Sequence, residues 1–315
     1  MRKILTITLN PALDSAADVE QVVPDLKLRC ENPSLEAGGG GVNVSRAIAL
    51  LGGESLAFVA LGGATGNMMA ELLNEAGVNL QRFNGPGMTR QSTAILETST
   101  GRQFRFGQPG PLWRAEDAAR AMAEIEALLQ ADMLVVATGS LPPGVRDDFY
   151  VELGRRIKAA GAEMIVDTSG AAQKAILAAG HGLVKVLRMD RHESELLAGE
   201  PLETPQAAAR FAQGIAAQGL AELVIMARGA EGSIFASAKG CFHCVSPKGD
   251  VVSKVGAGDS FVGGLTLGLA RGLSLEDAGM LATATAAAAV MTPGSQLCEP
   301  TTVARLLVDT RYEAL

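Results

Sequence analysis

Aromatic residues are scarce in this chain: one Trp, two Tyr and nine Phe make up 4% of 315 residues. A core must then come from Ala, Val and Leu. Hydrophobic residues reach 48% and charged residues only 19%, which argues against disorder. Positive charge is also short, with 27 Lys and Arg against 34 Asp and Glu, a net charge of −7. Nucleic-acid binding demands a basic face, so no nucleic-acid partner is expected. A phosphorylated ligand would have to be met by local basic residues, not a global field. Cysteine is limited to Cys30, Cys241, Cys244 and Cys298, too few for a disulfide framework. Cys241 and Cys244 form a lone CxxC around His243 and read as two reduced thiols in a surface hairpin before Pro247.

Long apolar runs are missing too. Ala282–Met291 is short and broken by Thr, so no membrane span is expected, and Met1–Asn10 reads as a strand, not a signal peptide. A cytoplasmic protein is the expectation. Three phosphate-binding signatures are absent. There is no Gly-Lys dipeptide and so no P-loop, no GxGxxG for a dinucleotide, and no HRD or DFG of a protein kinase.

What is present is alternation. Strand-length apolar runs at Ile4–Leu9, Met133–Ala137, Glu163–Val166, Leu183–Leu187 and Leu223–Ala227 are separated by helical stretches. These helices include Val42–Leu51, Ala115–Gln130, Asp147–Ala160, Pro205–Gln218, Ala257–Arg271 and Leu275–Met291. Continuous apolar strands between amphipathic helices predict a mainly parallel sheet covered on both faces. Asp14–Leu35 and Thr89–Phe106 break the pattern. Phe104-Arg105-Phe106 alternates with period two, and both stretches read as a small separate sheet serving as a lid. Such a sheet needs cover from substrate or a second subunit.

Val255-Gly256-Ala257-Gly258-Asp259-Ser260 opens a helical run. Glycines allow a tight turn into a helix N-terminus, whose free N–H groups and dipole form an anion hole. Asp259 at its mouth is either an N-cap or a general base. Gly38-Gly39-Gly40-Gly41-Val42-Asn43 leads into another helix; it is either a flexible turn or a place where backbone closely approaches a ligand, with Asn43 offering its amide to a sugar hydroxyl. Two further loops follow predicted buried strands, the usual place for ligand loops in such sheets. They are Ala137–Gly144, containing Ser140, and Ala227–Gly232, which suits a nucleotide lying flat on backbone.

In this order the motifs resemble the PfkB (ribokinase-like) sugar kinases over essentially the whole chain. The nearest likeness is to the 6-phosphofructokinases of that family. It rests on Leu13-Asp14-Ser15, Lys27-Leu28-Arg29-Cys30, the glycine run with Asn43, Gly62-Gly63-Ala64-Thr65-Gly66, Thr89-Arg90-Gln91, Gly139–Gly144 and Gly256–Ser260. Related 1-phosphofructokinases and tagatose-6-phosphate kinases usually carry a Lys within the glycine run. The resemblance implies a three-layer α/β/α sandwich, with residues 1–315 as a single kinase domain and a β lid from about 14–35 and 89–106. It implies ATP-dependent phosphorylation of fructose 6-phosphate at the 1-hydroxyl, with 1-phosphofructokinase or tagatose-6-phosphate kinase as alternatives and a non-catalytic sugar-phosphate sensor as a further one.

By the same resemblance Asp259 is the base, and Gly256, Ala257 and Gly258 form the anion hole. Asp14, Gly39, Gly40, Asn43 and Ser140 would hold the sugar, and Lys27, Arg29, Arg90 and Arg105 are candidates for its phosphate. Ala227, Gly229, Gly232, Val255 and Gly258 would line the nucleotide. The family's Lys-Pro-Asn-x-x-Glu segment is replaced here by Arg188-Met189-Asp190-Arg191-His192-Glu193. Arg188 and Asp190 would meet ATP, and Asp190 and Glu193, sharing a helix face, would hold Mg²⁺. A K⁺ ion is expected among Ser253, Val255, Ala289, Thr292 and Gly294, although Thr292 and Gln296 depart from the usual residues. A lid-to-lid homodimer is expected, with Val22, Val23, Leu26 and Leu28 as its apolar surface.

Overall fold

The structure is a computed structural model and describes residues 1–294 and 296–315. The chain opens with strand β1 (Ile4–Thr8), then β2 (Ala12–Val19) and β3 (Glu31–Gly38), helix α1 (Gly40–Leu50), β4 (Leu56–Leu61), α2 (Gly63–Glu75) and β5 (Asn79–Asn84). It continues through β6 (Arg90–Glu97), β7 (Arg102–Gly107), α3 (Ala115–Leu128), β8 (Leu134–Thr138), α4 (Phe149–Ala159), β9 (Glu163–Asp167), α5 (Gly170–Ala178), β10 (Val186–Met189) and α6 (Arg191–Ala198). The last part holds α7 (Pro205–Ala217), β11 (Leu223–Ala227), β12 (Gly232–Ser237), β13 (Gly240–Val245), α8 (Ala257–Ala270), α9 (Leu275–Val290), α10 (Pro300–Asp309) and β14 (Arg311–Ala314).

Among the described residues the main sheet has ten strands in the order β14-β13-β12-β11-β10-β9-β8-β1-β4-β5. From β11 to β5 every pairing is parallel, and β12, β13 and β14 extend one edge antiparallel. Side-chain alternation feeds two cores. Leu5, Ile7, Val135 and Val166 pack toward Ile125 of α3 and Tyr150 and Leu153 of α4. Ile4, Leu134, Val136 and Ile165 pack toward Val44 and Ile48 of α1 and Phe261 and Leu265 of α8. The result is three layers, as the run of apolar strands predicts. The order reverses at β1, whose neighbours β4 and β8 come from opposite directions of winding. A crevice at the carboxyl ends of strands is expected at such a switch point.

The second sheet has the order β3-β2-β6-β7, with β2 and β6 parallel and the outer pairs antiparallel. Its strands coincide with the stretches where the alternation fails. Arg105 faces the crevice, so Phe104 and Phe106 take the opposite face.

Two sequence expectations need correction. The Leu183–Leu187 strand begins only at Val186, because Val184 and Lys185 still belong to the approach loop. The Cys241/Cys244 hairpin is β12–β13, a part of the main sheet, and Cys244 is fully buried. It packs so closely under α9 that a side chain at Gly279 would come within 3.0 Å of its sulfur. Burial pushes that thiol up to about 12, the opposite of a reactive cysteine.

Candidate active site

The turn into α8 is made by Gly256 at φ 74°, a left-handed conformation that suits glycine. Gly256 is also the residue that precedes the helix, and no side chain caps it. Asp259 lies in the first helical turn, where its carboxylate Oδ2 accepts from Asn43 Nδ2 at 2.8 Å instead of capping the helix. Of the two readings left open by the sequence, capping is thus overturned. The first N–H groups of α8 are left for a ligand, since no intrahelical carbonyl can reach them.

Asn43 is aimed by its neighbour. Arg46 donates to Asn43 Oδ1 at 3.4 Å and to the Ala37 carbonyl at 3.0 Å, which turns the amide nitrogen toward Asp259. Burial pushes the Asp259 carboxyl up to about 6, with Asn43 and Arg188 opposing the shift and Asp167 and Asp14 adding to it. Arg188 lies directly beneath Gly258: a Cβ there would sit 3.0 Å from its guanidinium. It donates to both carboxylate oxygens of Asp167, at 3.1 and 3.2 Å.

The glycine run is a packing requirement and not a flexible turn. A Cβ on Gly41 would lie 2.5 Å from Thr8 Oγ1 and 2.8 Å from the Ile7 carbonyl. One on Gly40 would meet Gly139 N at 3.0 Å. Only bare backbone lets the β3–α1 junction press against the ends of β1 and β8, which brings Asn43 over the switch point.

Between lid and core lies a cavity of about 710 Å³. The lid contributes Asp14 from β2, Arg90 and Ser92 from β6, and Arg105 from β7. The core contributes Gly39, Gly40, Asn43 and Asp259, the β8 loop Thr138–Ser140, the β9 end Asp167–Ser169, Glu193 at the start of α6, and Lys254–Gly256. Burial pushes Asp14 up to about 6, against the pull of Arg90 and Arg105. Burial likewise raises Glu193. Four carboxylates facing three cations around one opening suit a ligand that brings phosphates together with a divalent cation.

Several predicted residues are elsewhere. Lys27 and Arg29 line a separate cavity of about 560 Å³ with Asp18, Glu20 and Glu31. The β2–β3 hairpin explains this. Its Asp14–Glu36 pair is at the crevice, so its loop begins some five residues and roughly 17 Å further along. Asp190 is exposed and forms a reciprocal cap with Glu193: each carboxylate accepts the other's backbone N–H at 2.8 Å. It does not line the cavity, whereas Asp167 and Glu193 do. Among the described residues there is no cluster of three or more metal-binding side chains. That is compatible with Mg²⁺ arriving on nucleotide phosphates, which needs only one or two carboxylates. Ala227, Gly229 and Gly232 also lie outside the cavity, in a turn tied to α6 by the Arg191–Glu231 pair. The Ser253 and 289–294 segments do meet, through Ser253 Oγ donating to the Gly294 carbonyl at 3.0 Å. Thr292 Oγ1 is already taken up by the carbonyls of Ala289 and Leu297.

The sequence reading missed Asp167, Thr168, Ser169 and Lys254. The first three were accessible, since Asp167-Thr168-Ser169-Gly170 follows a predicted buried strand just as Ala137–Gly144 does. Lys254 gave no signal beyond its place two residues before the glycine turn.

The model of the pfkB family carbohydrate kinases matches residues 7–302. The chain is 37% identical over 298 residues to the ATP-dependent 6-phosphofructokinase isozyme 2 of Escherichia coli, covering 95% of this chain and 96% of that protein. It is 32% identical to a 1-phosphofructokinase of Xanthomonas campestris, over 89% of this chain and 88% of the other. The crystal structure of phosphofructokinase-2 from Escherichia coli in complex with substrates and products superposes with a TM-score of 0.91 at 34% identity, covering 98% and 99% of the two chains. The same protein in complex with potassium gives 0.92 at 35% identity, with the same coverage.

Proposed function

The chain belongs to the pfkB family of carbohydrate kinases, and from that premise we propose that it transfers the γ-phosphoryl group of ATP to the 1-hydroxyl of fructose 6-phosphate, giving fructose 1,6-bisphosphate and ADP. The observation that carries this reading is Asp259. It is a half-buried carboxylate, free of capping duty, placed beside the open N-terminus of α8 and raised to about 6. A sensor that only binds a sugar phosphate has no use for such a group.

In this reading the substrate's 1-hydroxyl gives its proton to Asp259 as its oxygen bonds the γ-phosphorus and the bond to the β-phosphate oxygen breaks. The N–H groups at Ala257 and Gly258 receive the charge on the transferring group. Asp14, Asn43, Ser140 and the backbone at Gly39 and Gly40 hold the sugar. Arg90 and Arg105, both on the lid, take the 6-phosphate. Asp167 and Glu193 would hold Mg²⁺, which neutralises phosphate charge. The nucleotide extends from α8 toward the Ala227–Gly232 turn, and Arg188 keeps Asp167 oriented beneath it. A K⁺ ion would sit between Ser253 and Gly294, next to the anion hole.

We also propose a homodimer through the outer face of the lid. Leu35, Phe106 and Leu26 are 47%, 58% and 66% exposed, an apolar surface that a second lid would cover. No helix among the described residues is long and apolar enough to cross a membrane.

ADP release measured with fructose 6-phosphate, fructose 1-phosphate and tagatose 6-phosphate tests the assignment. The highest kcat/KM is expected for fructose 6-phosphate. Preference for fructose 1-phosphate would favour the second reading, which the Xanthomonas relative keeps open.

A further inference from the structure

Asn10 stands where the chain leaves β1 for the lid, and it contacts cavity-lining residues on both sides. Its Nδ2 donates to Ser140 Oγ at 3.0 Å, on the core side. Its backbone carbonyl accepts from Arg90 Nε at 3.2 Å, on the lid side. The side chain is fixed in place: a Cβ on Gly110 would overlap Asn10 Oδ1, and that oxygen is buried with no donor among the described residues. The hydrogen bond to Ser140 is therefore the amide's polar engagement. Ser140 itself is held by its neighbours, since Gly139 N donates to the Asp167 carbonyl at 3.1 Å and Thr168 Oγ1 donates to the Gly139 carbonyl at 2.9 Å.

These contacts fix hydrogen-bond polarity. A hydroxyl that accepts from an amide has its own proton free to point elsewhere, so Ser140 faces the cavity as a donor. An arginine whose Nε is occupied keeps two terminal nitrogens for a phosphate, and Arg90 spends neither of them on a hydrogen bond among the described residues. We infer that Asn10 is a positioning residue for the sugar phosphate: it sets Ser140 as a donor from the core and Arg90 as a two-pronged donor from the lid, so that one residue keeps the two in register. This rests on the reading that the cavity takes a sugar phosphate.

The polarity makes the inference testable. An ionised Asp at position 10 can only accept, so it would draw the Ser140 proton away from the cavity and leave that hydroxyl as an acceptor. Asn10→Ala merely removes the constraint. KM and equilibrium binding are measured for fructose 6-phosphate and for ATP, in the native chain, Asn10→Ala, Asn10→Asp, Ser140→Ala and the two double variants. The expected result is a rise in the sugar-phosphate constants of about threefold for Asn10→Ala and about tenfold or more for Asn10→Asp, with ATP constants within about twofold. In the Ser140→Ala background the difference between Ala and Asp at position 10 should disappear. A difference that persists there is plain charge repulsion and overturns the inference, as do equal effects of Ala and Asp or an equal shift for ATP. A native chain that binds none of the three sugar phosphates would overturn the functional reading together with this inference. A native chain that turns over fructose 6-phosphate alongside indifferent Asn10 variants overturns the inference alone.

Discussion

The amide of Asn43 lies 2.8 Å from the carboxylate of Asp259, joining the start of α1 to the start of α8 across 216 positions of sequence. Each helix begins in a glycine turn and both point at the β1 switch point, so one hydrogen bond aligns the two helix starts over the cavity. The packing beneath it is equally close: a side chain at Gly263 of α8 would approach Ala47 of α1 to 2.9 Å.

That packing makes the glycine run sensitive. Gly40→Ala would force its new methyl against Gly139 N and Thr138, neither of which can retreat from the end of β8. We expect a loss of about 1–3 kcal/mol in stability and a fall in kcat/KM greater than that stability loss alone explains. Chemical denaturation alongside kinetics separates the two, and a fully active, fully stable Gly40→Ala would show that the junction has more room than the geometry allows.

The metal assignment divides two carboxylates that sequence spacing treats alike. Asp190→Ala removes a cap and should cost about 1 kcal/mol of stability with little change in the Mg²⁺ requirement. Glu193→Gln should raise the Mg²⁺ concentration needed for half-maximal activity, as should Asp167→Asn. Titrating Mg²⁺ at fixed ATP for the three variants decides the matter. A larger effect at Asp190 than at Glu193 would restore the arrangement expected from sequence.

How far the sequence could be read follows from range. The parallel core was legible because each apolar run such as Leu223–Ala227 is a local pattern. The lid was legible because Phe104-Arg105-Phe106 keeps period two where helices otherwise intervene. The glycine turns were legible because close backbone approach leaves no other residue type. The antiparallel edge β12–β14 was not, since β14 pairs with β13 only after an intervening span of some 65 residues and leaves no local trace. The distance of Lys27 and Arg29 from the cavity has the same origin. Their motif is local, but their distance from the cavity depends on which end of the β2–β3 hairpin faces the core.

The proposed lid dimer is expected to depend on the apolar outer face. Phe106→Asp places a charge there while leaving Arg105 on the cavity side, so sedimentation at micromolar concentration should show a shift toward monomer with the chain still folded. An unchanged mass would move the interface away from this face.

Stability should depend on pH through Asp259 in a direction opposite to that of an ordinary salt-bridged carboxylate. Its folded value, about 6, lies above the ordinary aspartate value of 3.8. The folded state therefore holds the proton more tightly than the unfolded chain does. Asp259 adds stability at pH values below about 4 and withdraws it as pH rises through about 6, by an order of 2–3 kcal/mol at neutral pH. Asp259→Asn should then be the more stable protein at pH 8, with the advantage shrinking toward pH 4. Melting curves at the two pH values test this, and a less stable Asn variant at pH 8 would mean that the charged carboxylate is better compensated than its burial implies.

The same substitution tests the chemistry. Asn at position 259 keeps the shape of the side chain and an oxygen toward Asn43, but it cannot accept a proton from the 1-hydroxyl. Because Asp259 does not cap α8, the exchange should leave the helix start and the anion hole intact. Loss of a positioned base costs about 10²–10⁴ in rate, so kcat should fall by that factor while binding of fructose 6-phosphate and ATP changes little. In the native chain kcat/KM should fall as pH drops through about 6, where Asp259 takes up its proton, and Asp14 titrates in the same range. The residual activity of Asp259→Asn should lose the Asp259 part of that pH dependence. An Asn variant that turns over at near the native rate would sink the assignment of Asp259 as base, and one that loses rate only through a raised sugar KM would make it a binding group instead.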